Sequence, residues 1–265
     1  MLQISLMSGI LFDAIVFGPL KSRRFGISLG INLLPAKAKI CSFNCIYCEC
    51  GLTGNEVVEK VRLFTPEEIK FSLEERFRAL QKENVYPDSI TFAGNGEPTL
   101  HPKFPQIVDV VIGLRDAYFQ KSKITVLSNS TMLNKPSVHE ALLKVDNNVL
   151  KLDAGTQLTF DRINRPVNTI QLADVISNLC SFKGNVTIQT LFLRGTVNGH
   201  SIDNTTKEEV DLWLSHLKRI QPKMVMIYPI DRLTPETKLE KITLSELDAI
   251  AEKVRSIGLK AGIYF

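Results

Sequence analysis

The stretch Cys41-Ser42-Phe43-Asn44-Cys45-Ile46-Tyr47-Cys48 places three thiols within eight residues. Three residues separate the first two cysteines, and two residues separate the second from the third. Thiolates on so short a loop can be directed at one point, which suits a soft metal ion or an iron–sulfur cluster. The stretch therefore predicts a sulfur-ligated centre, and the rest of the chain must supply its scaffold.

Cys50 lies two residues beyond Cys48 and leaves a second interpretation open. With Cys50 included, four thiols could close a structural zinc site. Four thiols within ten residues are poorly spaced for tetrahedral coordination, because structural zinc sites are typically built from two separated ligand pairs. A third interpretation gives these cysteines no ligand role, although such dense clustering is unusual in a chain that has only five cysteines.

Outward from this loop, short apolar strands alternate with amphipathic helices. Strands are predicted over 25–34, 88–93, 123–127, 148–152, 185–193 and 223–228, with a further short strand in 259–265. Helices are predicted after Thr65, Pro102, Pro136, Thr169, Thr206 and Thr243. Six strand–helix units in series predict an α/β fold with a parallel sheet and right-handed crossovers. Periodicity alone leaves an open doubly wound sheet, a full barrel and a partial barrel as alternatives.

Composition fits one domain of ordinary globular character. The chain has 265 residues, so we expect a single domain over 1–265, with 1–24 as an N-terminal extension packed on it. A net charge of +4 falls short of a nucleic-acid-binding signature. The clustered cysteines do not form a disulfide framework, which favours a reducing cytoplasm. The apolar start contains Asp13 and is too short to span a bilayer, so no membrane association is expected.

Polar residues and glycines follow the predicted strands at their carboxyl ends, where ligands bind in parallel α/β folds. The second strand runs into Gly94-Asn95-Gly96-Glu97-Pro98, whose glycines let a backbone approach a ligand closely. The later candidates are Asn129, Asp153, Gln189, Arg194 and Tyr228. Before the first strand, the run Lys21-Ser22-Arg23-Arg24 is either a solvated charged surface or an anion site.

The C-x3-C-x2-C spacing with Tyr47 before its last cysteine, followed by the Gly94–Pro98 turn, resembles the radical S-adenosylmethionine (radical SAM) enzymes. The resemblance implies a (β/α)6 partial TIM barrel. It also implies that Cys41, Cys45 and Cys48 hold three irons of a 4Fe–4S cluster, while S-adenosylmethionine chelates the fourth iron. Asn95 departs from the glycine that the family has at this position.

The resemblance also implies a set of contacts to S-adenosylmethionine. Gly94, Asn95, Gly96 and Glu97 would contact its amino group, and Asn129 and Asp153 its ribose and carboxylate. The other implied contacts come from Tyr47, Gln189 and the backbone at Tyr228. Arg194 would either pair with the cofactor carboxylate or form a surface salt bridge. Lys151 is a general-base or Schiff-base candidate if it points inward, and we favour an outward orientation.

The implied function is reductive cleavage of S-adenosylmethionine to a 5′-deoxyadenosyl radical, which abstracts hydrogen from a tRNA base, a small molecule or a protein. A one-electron reductant such as flavodoxin or ferredoxin would be the partner. The stretch 18–33 resembles small iron–sulfur oxidoreductases related to the wybutosine-pathway tRNA-modifying enzymes, but the extra upstream cysteines of those relatives have no counterpart before Cys41. A non-catalytic electron-transfer protein and a zinc-stabilised RNA-binding module remain as alternatives.

Overall fold

The computed structural model describes residues 10–53, 62–232 and 234–265. Strands and helices alternate along these residues. The strands are β1 Val16–Ser22, β2 Gly26–Ile31, β3 Ser89–Phe92, β4 Lys123–Ser128, β5 Asn147–Lys151, β6 Thr187–Val197, β7 His200–Asp203, β8 Met224–Pro229, β9 Leu239–Lys241 and β10 Ala261–Ile263. The helices are α1 Pro66–Lys82, α2 Phe104–Tyr118, α3 Pro136–Lys144, α4 Gln157–Asn164, α5 Leu172–Cys180, α6 Lys207–Ile220 and α7 Leu244–Ser256, with a 3₁₀ turn at Pro98–Leu100.

One sheet organises the molecule, with the strand order β1-β2-β3-β4-β5-β6-β8-β10. From β2 to β10 all neighbouring strands on this path pair in parallel, whereas β1 pairs antiparallel with β2. The sheet is not closed, since β1 and β10 stand at opposite ends of the path. The predicted α/β class with a parallel sheet is confirmed.

Helix formation follows the capping signals of the sequence. Thr65 caps α1, and its side chain accepts the backbone N–H of Glu68 while the Glu68 carboxylate accepts the N–H of Thr65. The apolar stripe of this helix is fully buried, and burying such side chains contributes about 1.5–3 kcal/mol each. Its members are Ile69, Leu73, Phe77 and Leu80. Buried apolar residues of the same kind pack the other helices against the core.

Side chains bridge the open side of the sheet. Arg23, in the turn between β1 and β2, forms an ion pair of 3.1 Å with Asp231 after β8. The same guanidinium donates to the backbone oxygen of Tyr264, beyond β10, at 3.5 Å. Arg24 donates to Gln189 on β6 at 2.7 Å. The first and last parallel strands are therefore linked by these contacts across a gap in the ladder.

The structure adds elements that the periodic pattern did not predict. Helix α4 was missed because it is short and buries only one apolar pair, Phe160 and Ile163, beside Asn164. Strands β7 and β9 pair antiparallel with an extension of β6 that runs past the predicted end at residue 193. Of the predicted N-terminal extension, residues 1–9 lie outside the described residues, and residues from Val16 onward form β1. No helix among the described residues is long and apolar enough to cross a membrane.

Candidate cluster and cofactor site

The cysteine loop follows β2 and is held in place by its own apolar residues. Phe43 and Ile46 are buried among the core side chains, while Cys41 and Cys48 are partly accessible. The loop backbone is tied to the end of α4, because the N–H groups of Asn44 and Ile46 donate to backbone oxygens of residues 165 and 163 at 3.0 Å. The loop geometry is thus set by packing and backbone hydrogen bonds, and all three thiols are free.

Polar hydrogens point at the sulfur atoms. The amide nitrogen of Asn129 lies 3.5 Å from the sulfur of Cys41, and that of Asn164 lies 3.5 Å from the sulfur of Cys45. Burial, followed by the neighbouring thiol of Cys45, raises the pKa of Cys41 to about 12. A buried thiol of this kind becomes a thiolate when a metal replaces its proton. Amide donors of this type can stabilise the negative sulfur that results.

Cys48 differs from the other two thiols. Its pKa is lowered to about 5, first by a hydrogen bond with Cys50 and then, against the opposing effect of burial, by the ammonium of Lys39. Lys39 is itself buried and donates to the backbone oxygen of Gly51 at 2.7 Å. The sulfur of Cys50 also lies 3.3 Å from the backbone oxygen of Gly94, so Cys48 and Gly94 are alternative acceptors for its single S–H. Cys50 therefore connects the cysteine loop with the glycine turn, a role that the sequence pattern did not show.

The glycine turn after β3 packs directly against the cysteine loop. Gly94 and Gly96 have φ values of 124° and 134°, a backbone region that favours glycine. A Cβ at Gly96 would lie 1.9 Å from the backbone oxygen of Ile40, so only glycine fits there. Ile40 and Gly96 form a parallel bridge one residue before Cys41. The turn and the loop are therefore positioned relative to each other by main-chain contacts.

The side chains of Asn95 and Glu97 are used to build this turn. Asn95 is fully buried, and its amide donates to the backbone oxygens of Phe12 and Pro35 at 2.8 Å. Glu97 is 2% exposed and accepts the backbone N–H groups of Asn129 and Thr99. These hydrogen bonds satisfy both buried side chains within the protein, so the backbone is the part of the turn left to approach a ligand.

Asp153, directly after β5, is the centre of a buried polar group that also holds Lys151. Its Oδ2 accepts from Lys151 Nζ at 3.0 Å, from Asn164 Nδ2 at 3.1 Å and from the hydroxyl of Tyr47. Lys151 lies 4.7 Å from the centre of the Tyr47 ring and is 12% exposed. The preference for an outward Lys151 is therefore wrong.

Electrostatics explain how a lysine is tolerated at this position. Burial is the largest single influence on Lys151 and would lower its pKa, but the carboxylate of Asp153, together with Cys45 and Tyr228, raises the pKa above its ordinary value. Burial and the same carboxylate raise the pKa of Tyr47, so its hydroxyl stays protonated and donates. The group is a charged lysine, a carboxylate and a neutral phenol at the carboxyl end of β5.

Gln189 and Tyr228 meet inside the sheet, whereas Arg194 stands apart. The Oε1 of Gln189 accepts from Arg24 at 2.7 Å and from the Tyr228 hydroxyl at 3.5 Å. The guanidinium of Arg194 is engaged by Glu246 and by Asp203, the latter at 3.7 Å. Of the two interpretations given to Arg194, the structure shows the salt bridge. Its strand continues to Val197, so residue 194 is not at a strand end.

A cavity of about 270 Å³ opens beside the cysteine loop. Its wall includes Tyr47 and Cys48 from the loop and Tyr228 from β8. Arg24 lines the same space. The predicted contacts Tyr47, Gln189 and Tyr228 thus belong to one neighbourhood, while Gly94–Glu97 and Asn129 surround Cys41 on another side.

Sequence reasoning missed Asn164, Lys39 and the interior role of Arg24. Arg24 had a signal in the basic run that begins at Lys21. Asn164 and Lys39 had none, because nothing in the sequence separates an asparagine or lysine beside a cysteine from one at the surface. Their positions follow only from the way α4 and the loop pack together.

These features define a class: α/β enzymes with a sulfur-ligated centre at the carboxyl edge of an open parallel sheet. The chain belongs to the Radical SAM superfamily, which it matches over residues 37–208. Family membership confirms the predicted resemblance and, with it, the cofactors of that family, a 4Fe–4S cluster and S-adenosylmethionine. The solved structures confirm the partial-barrel fold.

Several relatives are similar over most of the chain. UPF0026 protein MJ1312 of Methanocaldococcus jannaschii is 31% identical over 238 residues, covering 86% of this chain and 69% of that protein. A protein of Brachyspira hyodysenteriae named GTPase Obg is 30% identical over 237 residues, covering 88% of this chain. The chain spans only 32% of the length of that second relative.

Solved structures share the fold at low sequence identity. A radical SAM methyltransferase from Sphaerobacter thermophilus superposes with a TM-score of 0.65 at 14% identity, over 89% of this chain and 65% of that one. Archaeal TYW1 superposes with a TM-score of 0.51 at 12% identity, over 86% of this chain and 71% of that one. At such identity the likeness shows the fold alone.

The donor set fits an iron–sulfur cluster better than a single ion. Within 10–53, 62–232 and 234–265, no three His, Cys, Asp or Glu side chains are grouped closely enough to hold one metal ion. A zinc ion needs each sulfur about 2.3 Å away. In a four-iron cluster each thiolate binds a different iron, so the ligands stand farther apart. The loop offers three free thiols for three of the irons.

Proposed function

We propose that this protein uses Cys41, Cys45 and Cys48 to hold a 4Fe–4S cluster and to cleave S-adenosylmethionine reductively. The observation that carries the proposal is the main-chain bridge that packs the glycine turn against the start of the cysteine loop. That bridge places the glycine backbone of the turn next to the loop that carries the three free thiols. Such backbone can bind the polar groups of a ligand held at the thiols.

A 4Fe–4S cluster held by Cys41, Cys45 and Cys48 would supply the one electron needed to cleave S-adenosylmethionine into methionine and a 5′-deoxyadenosyl radical, which would take hydrogen from the substrate. The residues of the chain would bind S-adenosylmethionine and orient it. The backbone at Gly94 and Gly96 would hold the amino group of the cofactor, and the hydrogen bonds of the Asn95 and Glu97 side chains fix that backbone in place. The amide of Asn129, 3.5 Å from the sulfur of Cys41, would stabilise that thiolate, and Asn129 would also contact the cofactor carboxylate or ribose.

The buried group at β5 has a positioning role in this proposal. Asp153 accepts from Tyr47 and Asn164, and Asn164 donates in turn to Cys45. This chain of hydrogen bonds fixes the aromatic ring beside the last cysteine. Tyr47, with Gln189 and the backbone at Tyr228, would line the adenosine side of the cofactor. Arg194 is left out of this set because Glu246 and Asp203 hold it.

The partner of the reaction is a one-electron reductant of the flavodoxin or ferredoxin type, since each cleavage consumes one electron. The free thiols suit a reducing compartment, and we place the protein in the cytoplasm on that ground. The reaction type is oxidoreductase or transferase chemistry on a tRNA base, a small molecule or a protein.

The test follows 5′-deoxyadenosine in protein purified without oxygen and reconstituted with iron and sulfide. With dithionite and S-adenosylmethionine, we expect wild-type protein to form 5′-deoxyadenosine, and we expect Cys45→Ala to fall to the level of the reaction without protein. Cys180→Ala is the matched control, because Cys180 lies on α5 and should leave the product yield unchanged.

A brown protein that forms no 5′-deoxyadenosine, and whose electron paramagnetic resonance spectrum ignores the added cofactor, would overturn the proposal. In that case Cys50→Ala decides what the protein is. Loss of the cluster on removal of Cys50 would indicate a fully ligated cluster and an electron-transfer protein. A colourless protein that binds zinc would indicate the zinc-stabilised alternative.

A further inference from the structure

The side chain of Asn164 lies behind the cysteine loop and reaches one of the three proposed cluster ligands. We propose that Asn164 raises the reduction potential of the cluster by donating a hydrogen bond to the sulfur of Cys45. Asn164 is then a positioning residue, because it acts through a ligand of the cluster. The inference rests on the proposed function, since it takes the cluster as given and adds how its uptake of an electron is adjusted.

Cys45 is the most deeply buried of the three proposed ligands. It is 7% exposed, whereas Cys41 and Cys48 are partly accessible. The Nδ2 atom of Asn164 lies 3.5 Å from the Cys45 sulfur, and Asn164 is itself 0% exposed. The amide therefore supplies a hydrogen-bond donor to a sulfur that is largely closed to water.

The orientation of the Asn164 amide is set by the negative groups on its donor side. Its Nδ2 also donates to Oδ2 of Asp153 at 3.1 Å, so its two N–H bonds are divided between a carboxylate and a sulfur. Its Oδ1 is buried and has no hydrogen-bond partner among the residues that the structure describes. A flipped amide would turn that oxygen towards the carboxylate and the sulfur, where negative charges repel each other. The fold thus leaves one acceptor unsatisfied, which is unfavourable, and keeps the donors on the anionic side.

Helix α4 presents Asn164 as its last residue and is anchored at both ends. Arg165 follows with a φ value of 43°, and its backbone oxygen accepts the N–H of Asn44 at 3.0 Å. Just before the helix begins, the backbone N–H of Gly155 donates to the buried carboxylate of Glu209 at 2.8 Å. An anchored helix keeps the donor directed at the sulfur, so little reorganisation is needed when the charge on the sulfur changes.

The charge of the cluster gives the direction of the effect. Uptake of an electron makes the cluster and its thiolates more negative, and hydrogen bonds to a more negative acceptor are stronger. Hydrogen bonds to the sulfurs are among the factors that set the reduction potential of iron–sulfur clusters. The donor at Cys45 therefore stabilises the reduced cluster more than the oxidised one, and it eases transfer of the one electron that each cleavage consumes.

The test is a redox titration of reconstituted protein without oxygen and without S-adenosylmethionine, followed by electron paramagnetic resonance. Asn164→Leu keeps much of the side-chain volume and removes the donor. At the midpoint potential of the wild type, the ratio of reduced to oxidised cluster should fall at least about threefold in this variant, as expected for the loss of one hydrogen bond. Asn164→Gln keeps the amide and should stay closer to the wild-type potential. If the leucine variant does not fold, Asn164→Ala decides, because it also removes the donor.

Two controls separate this effect from general damage to the fold. Asn148→Leu is the matched control, because Asn148 is 1% exposed and its amide donates to two backbone oxygens instead of a sulfur. This variant should lower the thermal unfolding midpoint and leave the potential unchanged. Tyr47→Phe removes a different donor to Asp153, so it should shift the potential less than Asn164→Leu does.

An unchanged or more positive potential in the variants without the donor would overturn the inference. So would an equal shift for Asn148→Leu, or the failure of both Asn164→Leu and Asn164→Ala to assemble a cluster, because the role of Asn164 would then be structural. An equal shift for Tyr47→Phe would overturn it as well, since the effect would pass through Asp153.

The proposed function fails separately. Wild-type protein that forms 5′-deoxyadenosine while its potential is independent of Asn164 loses only this inference. A cluster whose potential depends on Asn164, in wild-type protein that forms no 5′-deoxyadenosine, keeps the inference and counts against the reaction itself.

Discussion

Two ion pairs associated with the neighbouring strands β5 and β6 differ in how deeply the fold buries them. Lys151 pairs with Asp153 at 3.0 Å, and these side chains are 12% and 0% exposed. Arg194 pairs with Glu246, and these side chains are 35% and 37% exposed. The first pair lies inside the sheet beside the cysteine loop, and the second joins the β6 extension to α7.

The comparison shows that burial decides how strongly an ion pair constrains the surrounding structure. Removing Asp153 from water is costly, and the fold compensates with donors from Lys151, Tyr47, Asn164 and the backbone of Leu191. A charge satisfied in this way holds several elements in one geometry. The half-exposed pair has water as an alternative partner, so its geometry constrains little.

Breaking the buried pair should have the largest effect. Lys151→Met keeps much of the side-chain volume but leaves the Asp153 carboxylate buried without a cation. We expect the free energy of unfolding to fall by about 3–5 kcal/mol. Urea denaturation of cluster-free protein under reducing conditions measures it. A loss below about 1 kcal/mol would contradict the prediction and would mean that Asp153 is reached by water or takes up a proton.

Removing one donor of the buried group should have an intermediate effect. Tyr47→Phe keeps the ring and deletes the hydroxyl that donates to Asp153. We expect a loss of about 1.5–3 kcal/mol, since the hydrogen bond is made to a charged group. Tyr118→Phe is the matched control, because its hydroxyl donates to the more exposed Glu74 and its loss should cost less. Equal losses for both variants would remove the distinction between the two environments.

Breaking the half-exposed pair should have the smallest effect. Arg194→Gln should change the free energy of unfolding by about 0–1 kcal/mol, and added salt should reduce the difference further. The pKa of Glu246 is lowered to about 2 by hydrogen bonds from Thr243 and then by Arg194. A lowered pKa stabilises the fold above the ordinary value of 4.5, and this stabilisation is lost as the pH falls towards 2.

The difference between wild type and Arg194→Gln should therefore disappear in denaturation curves measured near pH 2. A loss above about 2 kcal/mol at neutral pH would show that the outer pair is structural after all. The ranking of the three variants is the sharper test, because it needs no absolute energy scale.

Much of the fold was predictable from the sequence, because capping residues and apolar periodicity mark helices and strands within short segments of the chain. The capping box at Thr65 and the apolar stripe behind it placed α1 within a residue of its start. The cysteine spacing and the glycine turn pointed to the two segments that the structure bridges between Ile40 and Gly96. Both signals depend on residues close together in the chain.

The orientation of Lys151 and Arg194 could not be predicted for a physical reason. Residues 148–150 of β5 are all buried, because helices cover one face of a parallel sheet and the barrel interior covers the other, so alternation carries no signal. Arg194 was placed at a strand end because β6 was expected to stop at residue 193. The strand continues by pairing with β7 and β9, which are distant or weakly patterned segments.

The backbone hydrogen bonds that tie the cysteine loop to α4 have a consequence for the life of the protein. A zinc finger folds only when its metal is bound, and the chain is unfolded without it. Here the N–H groups of Asn44 and Ile46 donate to the end of α4, and the side chain of Phe43 is buried in the core. We therefore expect a chain that has lost its cluster to oxygen to keep this loop anchored, so that added iron and sulfide rebuild the cluster without refolding of the protein.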